Sequence, residues 1–523
     1  MYCKKAFASF ALAGFLLFVN PRLKAQFSIL GQLRTRTEIR NGYGNPLPSG
    51  SKPAGFTSQR TRFQVLYQNA LIGMGASVQD VRVWGQDAAT ISQTDGSRLM
   101  LHEGWAEIRL LKTPDSLSKP SWVQYARLKL GRQELNYDDV RLIGNLDWLQ
   151  QGRRHDMALL KFGIKKWQVE LGQAFNQNAD GFMGTSYVPG LVPPNIKNAA
   201  GILVAVPAGL VPLTMSGQAN AVSTPSGLPV YTNPSGTNAP SQHYKSFTSL
   251  HLSRKKNRSI YSFLFFNDRF ARYRLDSMEL NGAYLYGRRF VKSGSQDDFD
   301  YSGTASRMTY GFTINQHLGL ISGSSRAGIQ AAFYHQTGRD RDYRRLNAWH
   351  YSLSATLQLR QISIQPGYDA LSGNDGNTRP GYSHRFDPLY GTPHRHWGYM
   401  DFFYVATGSP PAGLKDGYLK VKVVSKNEKR STGLDVHRFH TVHGFPDDRG
   451  IQMKKYLGME LDWITTFTLN PYTQVETGLC FYRASPSLQY AKGLSPGPYQ
   501  KVATWAYLQV NIRPSFFQQK SNP

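Results

Sequence analysis

Arginine recurs at every second position in the N-terminal part of this chain: Arg34 and Arg36, Arg60 and Arg62, then Arg82, Arg109, and Arg127 with Lys129. Successive side chains of a strand point to opposite faces, so each such pair shares one side of one strand. A guanidinium is a planar fork that grips a carboxylate through two parallel hydrogen bonds, and a row of them in a narrow, partly desolvated space attracts anions. Asp80, Glu103 and Glu107 fall on the same strands, and Glu460, Asp462 and Glu476 on late ones. Interleaved carboxylates would hold the arginines in fixed poses and relieve their mutual repulsion. The plainer reading of the same residues is a set of interior salt bridges with no part in selectivity.

The elements that must position these groups are strands with one apolar and one polar face. Phe27, Ile29, Gly31 and Leu33 share a face, and Gln32, Arg34, Arg36, Glu38 and Arg40 share the other. Near the C-terminus Ala506, Leu508, Val510 and Ile512 oppose Trp505, Tyr507, Gln509, Asn511 and Arg513. The chain carries 61 Lys and Arg against 34 Asp and Glu, with 40% hydrophobic and 13% aromatic residues. With no apolar run long enough for a helical span, a wall of strands with one wet face fits this balance. The pattern predicts an all-β fold, a transmembrane antiparallel β-barrel of about 18 strands in the outer membrane of a Gram-negative cell. Short periplasmic turns should alternate with long extracellular loops.

Connection lengths support that alternation. Tight turns are expected at Asn69-Ala70, Lys165-Lys166, Lys255 to Asn257, Leu359 to Gln361 and Leu469 to Pro471. Long connections are expected at residues 86–98, 132–153, 177–243, 268–303, 370–398, 425–454 and 483–500. Pro207 and Pro212 argue against a central strand in 201–215, so 177–243 reads as an extracellular excursion, with a folded lid over the barrel mouth as the alternative. Tyr261, Phe263, Phe265 and Phe266, and the group Trp397, Tyr399, Phe402, Phe403 and Tyr404, read as interfacial girdles.

Met1 to Ala25 reads as a secretory signal peptide, with Lys4 and Lys5 before an apolar core and Leu23-Lys24-Ala25 at the cleavage site. Residues 26–523 then form one barrel domain. Removing the leader takes Cys3, and the remaining Cys480 has no partner for a disulfide.

Enzyme motifs are absent: there is no GxSxG elbow, HExxH pair, CxxC or phosphate loop. Asp435, His437, His440, His443, Asp447 and Asp448 contain metal-ligand types, but their spacing does not bring them to one face of a strand. No cofactor is implied. A surface hydrolase built on a barrel wall is the alternative function. Nucleic acid is disfavoured because a binder of it concentrates basic groups on an exposed surface.

Three stretches are specific enough to compare with a known family. GRQELNYDDVRLIGNLDWLQQGRRHD (Gly131 to Asp156), GYDALSGND (Gly367 to Asp375) and FDPLYGTPHRHWGYMDFFYV (Phe386 to Val405) resemble the alginate export family of outer-membrane porins, as does the closing WAYLQVNIRPSFF (Trp505 to Phe517). The resemblance implies a monomeric eighteen-stranded barrel in outer-membrane lipid, passing an acidic polysaccharide or small anions through an Arg-lined conduit, with periplasmic export partners. Carried over by motif, Arg132, Arg141 and Arg154 belong to the constriction, and Asp139 and Asp147 are its supporting carboxylates. Arg36, Arg62, Arg82 and Asp80 complete the expected conduit. Asp138 stands where the family favours Gly.

Overall fold

The computed structural model describes residues 26–85, 99–111, 122–176, 190–214, 220–221, 228–230, 233–234, 244–292, 299–300, 303–322, 325–404, 410–494 and 497–519. The expected leader, Met1 to Ala25, lies outside them. Among the described residues eighteen long strands close into one antiparallel barrel. They are β1 (Gln26–Asn41), β2 (Ala54–Gln68), β3 (Ile72–Val83), β4 (Met100–Leu111), β5 (Val123–Gln133), β6 (His155–Ile164), β7 (Trp167–Phe175), β8 (Ser246–Lys256) and β9 (Ser259–Ala271). The second half adds β10 (Thr304–Ser322), β11 (Ser325–Arg339), β12 (Arg345–Leu359), β13 (Ile362–Leu371), β14 (Leu414–Val424), β15 (Arg430–His440), β16 (Tyr456–Asn470), β17 (Thr473–Ala484) and β18 (Val502–Ile512). β18 pairs back onto β1, with Arg36 opposite Gln509 and Glu38 opposite Tyr507. Closure leaves no open edge, the condition for strands to cross a bilayer.

The alternation expected of the first and last strands is present. Arg34, Arg36, Glu38, Trp505 and Tyr507 are buried in the interior, while Leu33, Ile39 and Leu508 face outward and are exposed. Similar exposed apolar side chains, among them Phe63, Ile108, Leu130, Leu353, Leu419 and Trp463, cover the outside of the barrel. That surface suits lipid and places the chain in the outer membrane.

Three expectations about connections change. Residues 425–454 are not one loop, because Arg430 to His440 forms β15 after a five-residue turn. Residues 268–303 contain a hairpin, Tyr273–Leu280 with Ala283–Phe290. Part of 177–243 joins that hairpin: Leu210–Thr214 pairs with Ala283–Phe290 despite Pro212, which sits at the end of the ladder. Leu210 and Leu285 pack in one small apolar cluster there, and Val211, Tyr273 and Phe290 in another. The extracellular excursion is thus partly a folded β-structure with its own core.

The girdle expected of Trp397 to Tyr404 is overturned. Trp397, Phe402, Phe403 and Tyr404 are all buried within the barrel: Phe402 stacks on Tyr482, Phe403 packs at a tilt against Phe439, and Trp397 packs against Tyr404. Their hydrophobic surface fills the lumen because the β13–β14 loop folds inward instead of rising from the rim. In the other group, Phe263 is exposed outside and Phe266 is buried inside, as strand alternation requires. Cys480 is fully buried.

Candidate functional site

Two loops enter the lumen, β5–β6 (residues 134–154) and the described parts of β13–β14 (residues 372–404 and 410–413). They join through backbone hydrogen bonds, Tyr390 N to Leu142 O at 2.9 Å and Thr392 N to Val140 O at 2.8 Å. Gly391 lies so close to the Arg141 carbonyl that any side chain there would collide with it. The first loop turns through left-handed residues: Asp138 at φ 53°, Val140 at φ 59° and Leu146 at φ 49°. For a β-branched residue such as Val140 this is strained, and strain of that kind persists only where surrounding contacts enforce it. Asp138 takes a conformation that Gly adopts without strain and Asp tolerates better than most. Its carboxylate is also useful there, accepting from Ser262 Oγ at 2.5 Å and lying 3.1 Å from His251 Nε2.

On one side the loop is clamped by the arginine wall of β1 and β2. Arg60 donates to Asp147 at 2.7 Å and Arg34 at 3.3 Å, while Arg34 also binds Gln150 and the Leu149 carbonyl. Arg36 bonds Glu38 and the Trp148 carbonyl, with its guanidinium 4.0 Å above the Trp148 ring. Trp148 in turn stacks on His394 of the second loop, and His394 pairs with Asp401 at 2.7 Å. Arg62 binds Gln79 and lies 3.6 Å from Glu134. Burial disfavours charge on Asp147, but Arg60 and Arg34 hold its carboxyl below the usual range. Arg36 and Arg62 therefore face inward as expected, yet they bind the loop instead of an open channel.

On the other side the loop meets β13 and β14, and space remains. Arg141 bonds Asp139 at 3.1 Å and Asp369 of β13 at 2.5 Å. Burial works against charge on Asp139, and Arg141 overrides it, drawing the carboxyl down to about 2. These two residues border a cavity of about 650 Å³ that also touches Arg395, His396, Tyr418, Lys420, Lys422 and Glu476. Lys420 pairs with Asp435 at 3.1 Å. Glu476 accepts from Tyr507 Oη at 2.9 Å and Thr466 Oγ1 at 3.1 Å. Arg395 and Lys422 are exposed and have no ion-pair partner among the described residues. Burial, reinforced by Arg141, lowers His396 to about 3, so it is neutral at pH 7. A second cavity of about 270 Å³ shares Asp139 and Arg141 and extends toward β9 to β12.

Four expected conduit residues lie elsewhere. Ser77 and Gln79 carry the inward phase of β3, so Asp80 and Arg82 point outward, opposite Thr61 and Gln59, and pair with each other at 2.6 Å. Gln133 and His155 are the buried inward residues at the top of β5 and β6, which leaves Arg132 outside in a two-bond pair with Asp156 at 2.8 Å. Arg154 is buried with its guanidinium 3.4 Å from Met100 Sδ, and burial together with Arg132 lowers it to about 10. Of the three expected ring arginines, only Arg141 reaches the cavity. Sequence reasoning missed Lys420 and Lys422, whose alternation with Tyr418 was legible, and Arg395, which sits inside one of the quoted motifs.

The histidine-rich stretch does not converge. His437 is buried against Asp416 at 2.8 Å, Asp435 serves Lys420, and Asp447 binds its own loop and Arg449. Among the described residues no group of three metal-ligand side chains comes together.

The lumen filled by strand-derived arginines and an inward loop lies within the N-terminal part of the chain, and that part is what a known family matches. Residues 26–174 match the alginate export family. The alginate-export match thus contains the β1–β2 arginines and the whole β5–β6 loop. No curated protein matches the chain. Among solved structures, Acinetobacter baumannii OccAB4 is similar at 12% identity and TM-score 0.53, covering 94% of this chain and 98% of its own. Pseudomonas aeruginosa OccD3 (OpdP) is similar at 11% identity and TM-score 0.50, covering 94% and 92%. The outer membrane protein OpdK of the same organism is similar at 8% and 0.51, covering 94% and 99%. Identities this low speak to the barrel fold. Together with the match, they make the chain a porin-like outer-membrane β-barrel.

Proposed function

We propose that this barrel is a monomeric, anion-favouring conduit whose cargo is an acidic polysaccharide of the alginate kind or smaller carboxylate solutes, delivered with the help of periplasmic partners. One observation carries the reading: the cavity beside the inward loop holds Arg141 in a fixed pose, with Arg395 and Lys422 bearing no carboxylate partner among the described residues. The cavity lining sets four Lys and Arg (Arg141, Arg395, Lys420, Lys422) against four Asp and Glu (Asp139, Asp369, Asp435, Glu476), so the preference comes from where the charges sit: Arg395 and Lys422 are exposed to the space, and a guanidinium braced by Asp139 and Asp369 keeps its donors fixed at the cavity edge. A carboxylate cargo also has a parallel among similar barrels, since OpdK is described with vanillate. Asp139 then acts as a support, as expected, and Asp147 supports the loop instead of the cargo.

Reversal potentials in planar bilayers test this. Anion preference should fall in Arg395→Gln and in Lys422→Gln, and further in the double variant. Arg141→Lys should keep ion selectivity but weaken current block by an acidic oligosaccharide, because the fork is lost while the charge remains. Unchanged selectivity in the Arg395→Gln/Lys422→Gln protein would overturn the reading. Silent bilayers with ester or peptide turnover would replace it with the surface hydrolase.

A further inference from the structure

We propose that the extracellular end of the β14–β17 wall docks a phosphorylated glycolipid of the outer leaflet. Leu414 and Asp416 are buried inside, so Lys415 between them points outward; His437 and Phe439 do the same for Arg438, and Tyr482 places Arg483 outward. The strands hold these residues in register. Arg438 lies opposite Met459, and Met459 opposite Arg483, so the two arginines flank one exposed Met on three neighbouring strands. Lys415 sits opposite His440, two positions along from Arg438. At roughly 4.8 Å per strand, the two guanidinium groups arise from backbones roughly 10 Å apart.

The acids of these strand ends are turned the other way. Asp416, Glu460 and Asp462 are fully buried in the interior. Neither Arg438 nor Arg483 has an ion pair or hydrogen bond from its side chain among the described residues; Arg438 lies over the Tyr456 ring at 5.4 Å. The opposite side of the barrel differs, because Arg82 and Arg132 at comparable strand ends are neutralised by Asp80 and Asp156. An outward Arg is poorly tolerated at the bilayer midplane and well tolerated near the interface, so these positions mark the headgroup level. Three cations with no carboxylate partner among the described residues complement phosphate, and Arg binds phosphate through its planar fork. A zwitterionic phospholipid brings its own ammonium to the patch, whereas a glycolipid with two phosphates can engage both arginines at once.

The test is native mass spectrometry of the full folded chain in micelles, titrated with bisphosphorylated lipid A, its dephosphorylated form and phosphatidylglycerol. Bisphosphorylated lipid A should bind at least tenfold tighter than the other two. Lys415→Gln/Arg438→Gln/Arg483→Gln should erase that preference. Arg430→Gln, on the same face of β15 at its other end, should leave it intact. Heat-modifiable migration checks folding; should the triple variant fail to fold, Arg438→Gln and Arg483→Gln are read singly and each should weaken binding severalfold. Equal binding of the three lipids, unchanged binding in the folded variants, or the same loss in Arg430→Gln overturns the proposal.

Discussion

The β1–β2 wall and the β13–β14 wall present the same chemistry to the lumen and end in different states. Both alternate basic residues on the inward phase: Arg34, Arg36, Arg60 and Arg62 on the first, Lys420 and Lys422 on the second. The first set is covered by the β5–β6 loop. Its side chains are spent on Asp147, Glu38, Gln150 and loop carbonyls, and Arg60 is only 1% exposed. The second set borders open space, where Lys422 keeps its charge to itself. An inward-facing arginine is therefore not the same thing as a pore-lining one; what decides is whether another segment lies over it.

The largest effect expected from this difference is on stability. Asp147→Ala leaves Arg34 and Arg60 buried without their shared carboxylate, and breaking a buried pair costs about 3 to 5 kcal/mol, with the lower end expected because Asp147 is itself partly open. Denaturant titration of the folded barrel in vesicles measures it. A loss no larger than that of Lys422→Gln would erase the distinction between the two walls.

Acid should act on the clamp next. Asp147 is held below its ordinary range and Asp139 at about 2. A carboxyl with a depressed folded-state pKa contributes stability above its unfolded value and loses it as pH falls through the folded one. The inward loop should thus stay anchored from pH 7 to about 4 and loosen toward pH 2, reported by Trp148 fluorescence or by protease access to residues 134–154. Release already near pH 6 would show that Asp147 and Asp139 do not anchor the loop.

The smallest effect is the sharpest comparison. Arg36→Gln removes a charge from the covered wall and should move the reversal potential much less than Lys422→Gln on the open one. Equal shifts would mean that the loop does not shield its arginines, and the conduit would then run along β1 and β2.

Residue order alone specified the barrel, the inside and outside of its first and last strands, and which loop is unlike a span. A period of two is a local property, and a one-residue slip would turn every apolar side chain from lipid to lumen, so the alternation fixes the wall. The charged run from Arg132 to Arg154 was legible as something other than a span. What the sequence left open was phase at strand ends and the path of the loops. Arg132 and Arg82 sit at strand ends, where loop exits begin, and the inward phase there belongs to buried neighbours: Gln79, which donates to the Gln151 carbonyl of the entering loop, Gln133 and His155. The aromatic run Trp397 to Tyr404 has the composition of a girdle or of a core. Only the fold chose between them, because the β13–β14 loop could bury that surface inside the barrel against Phe439, Tyr482 and Trp505, residues distant in sequence that closure of the sheet brings to one place.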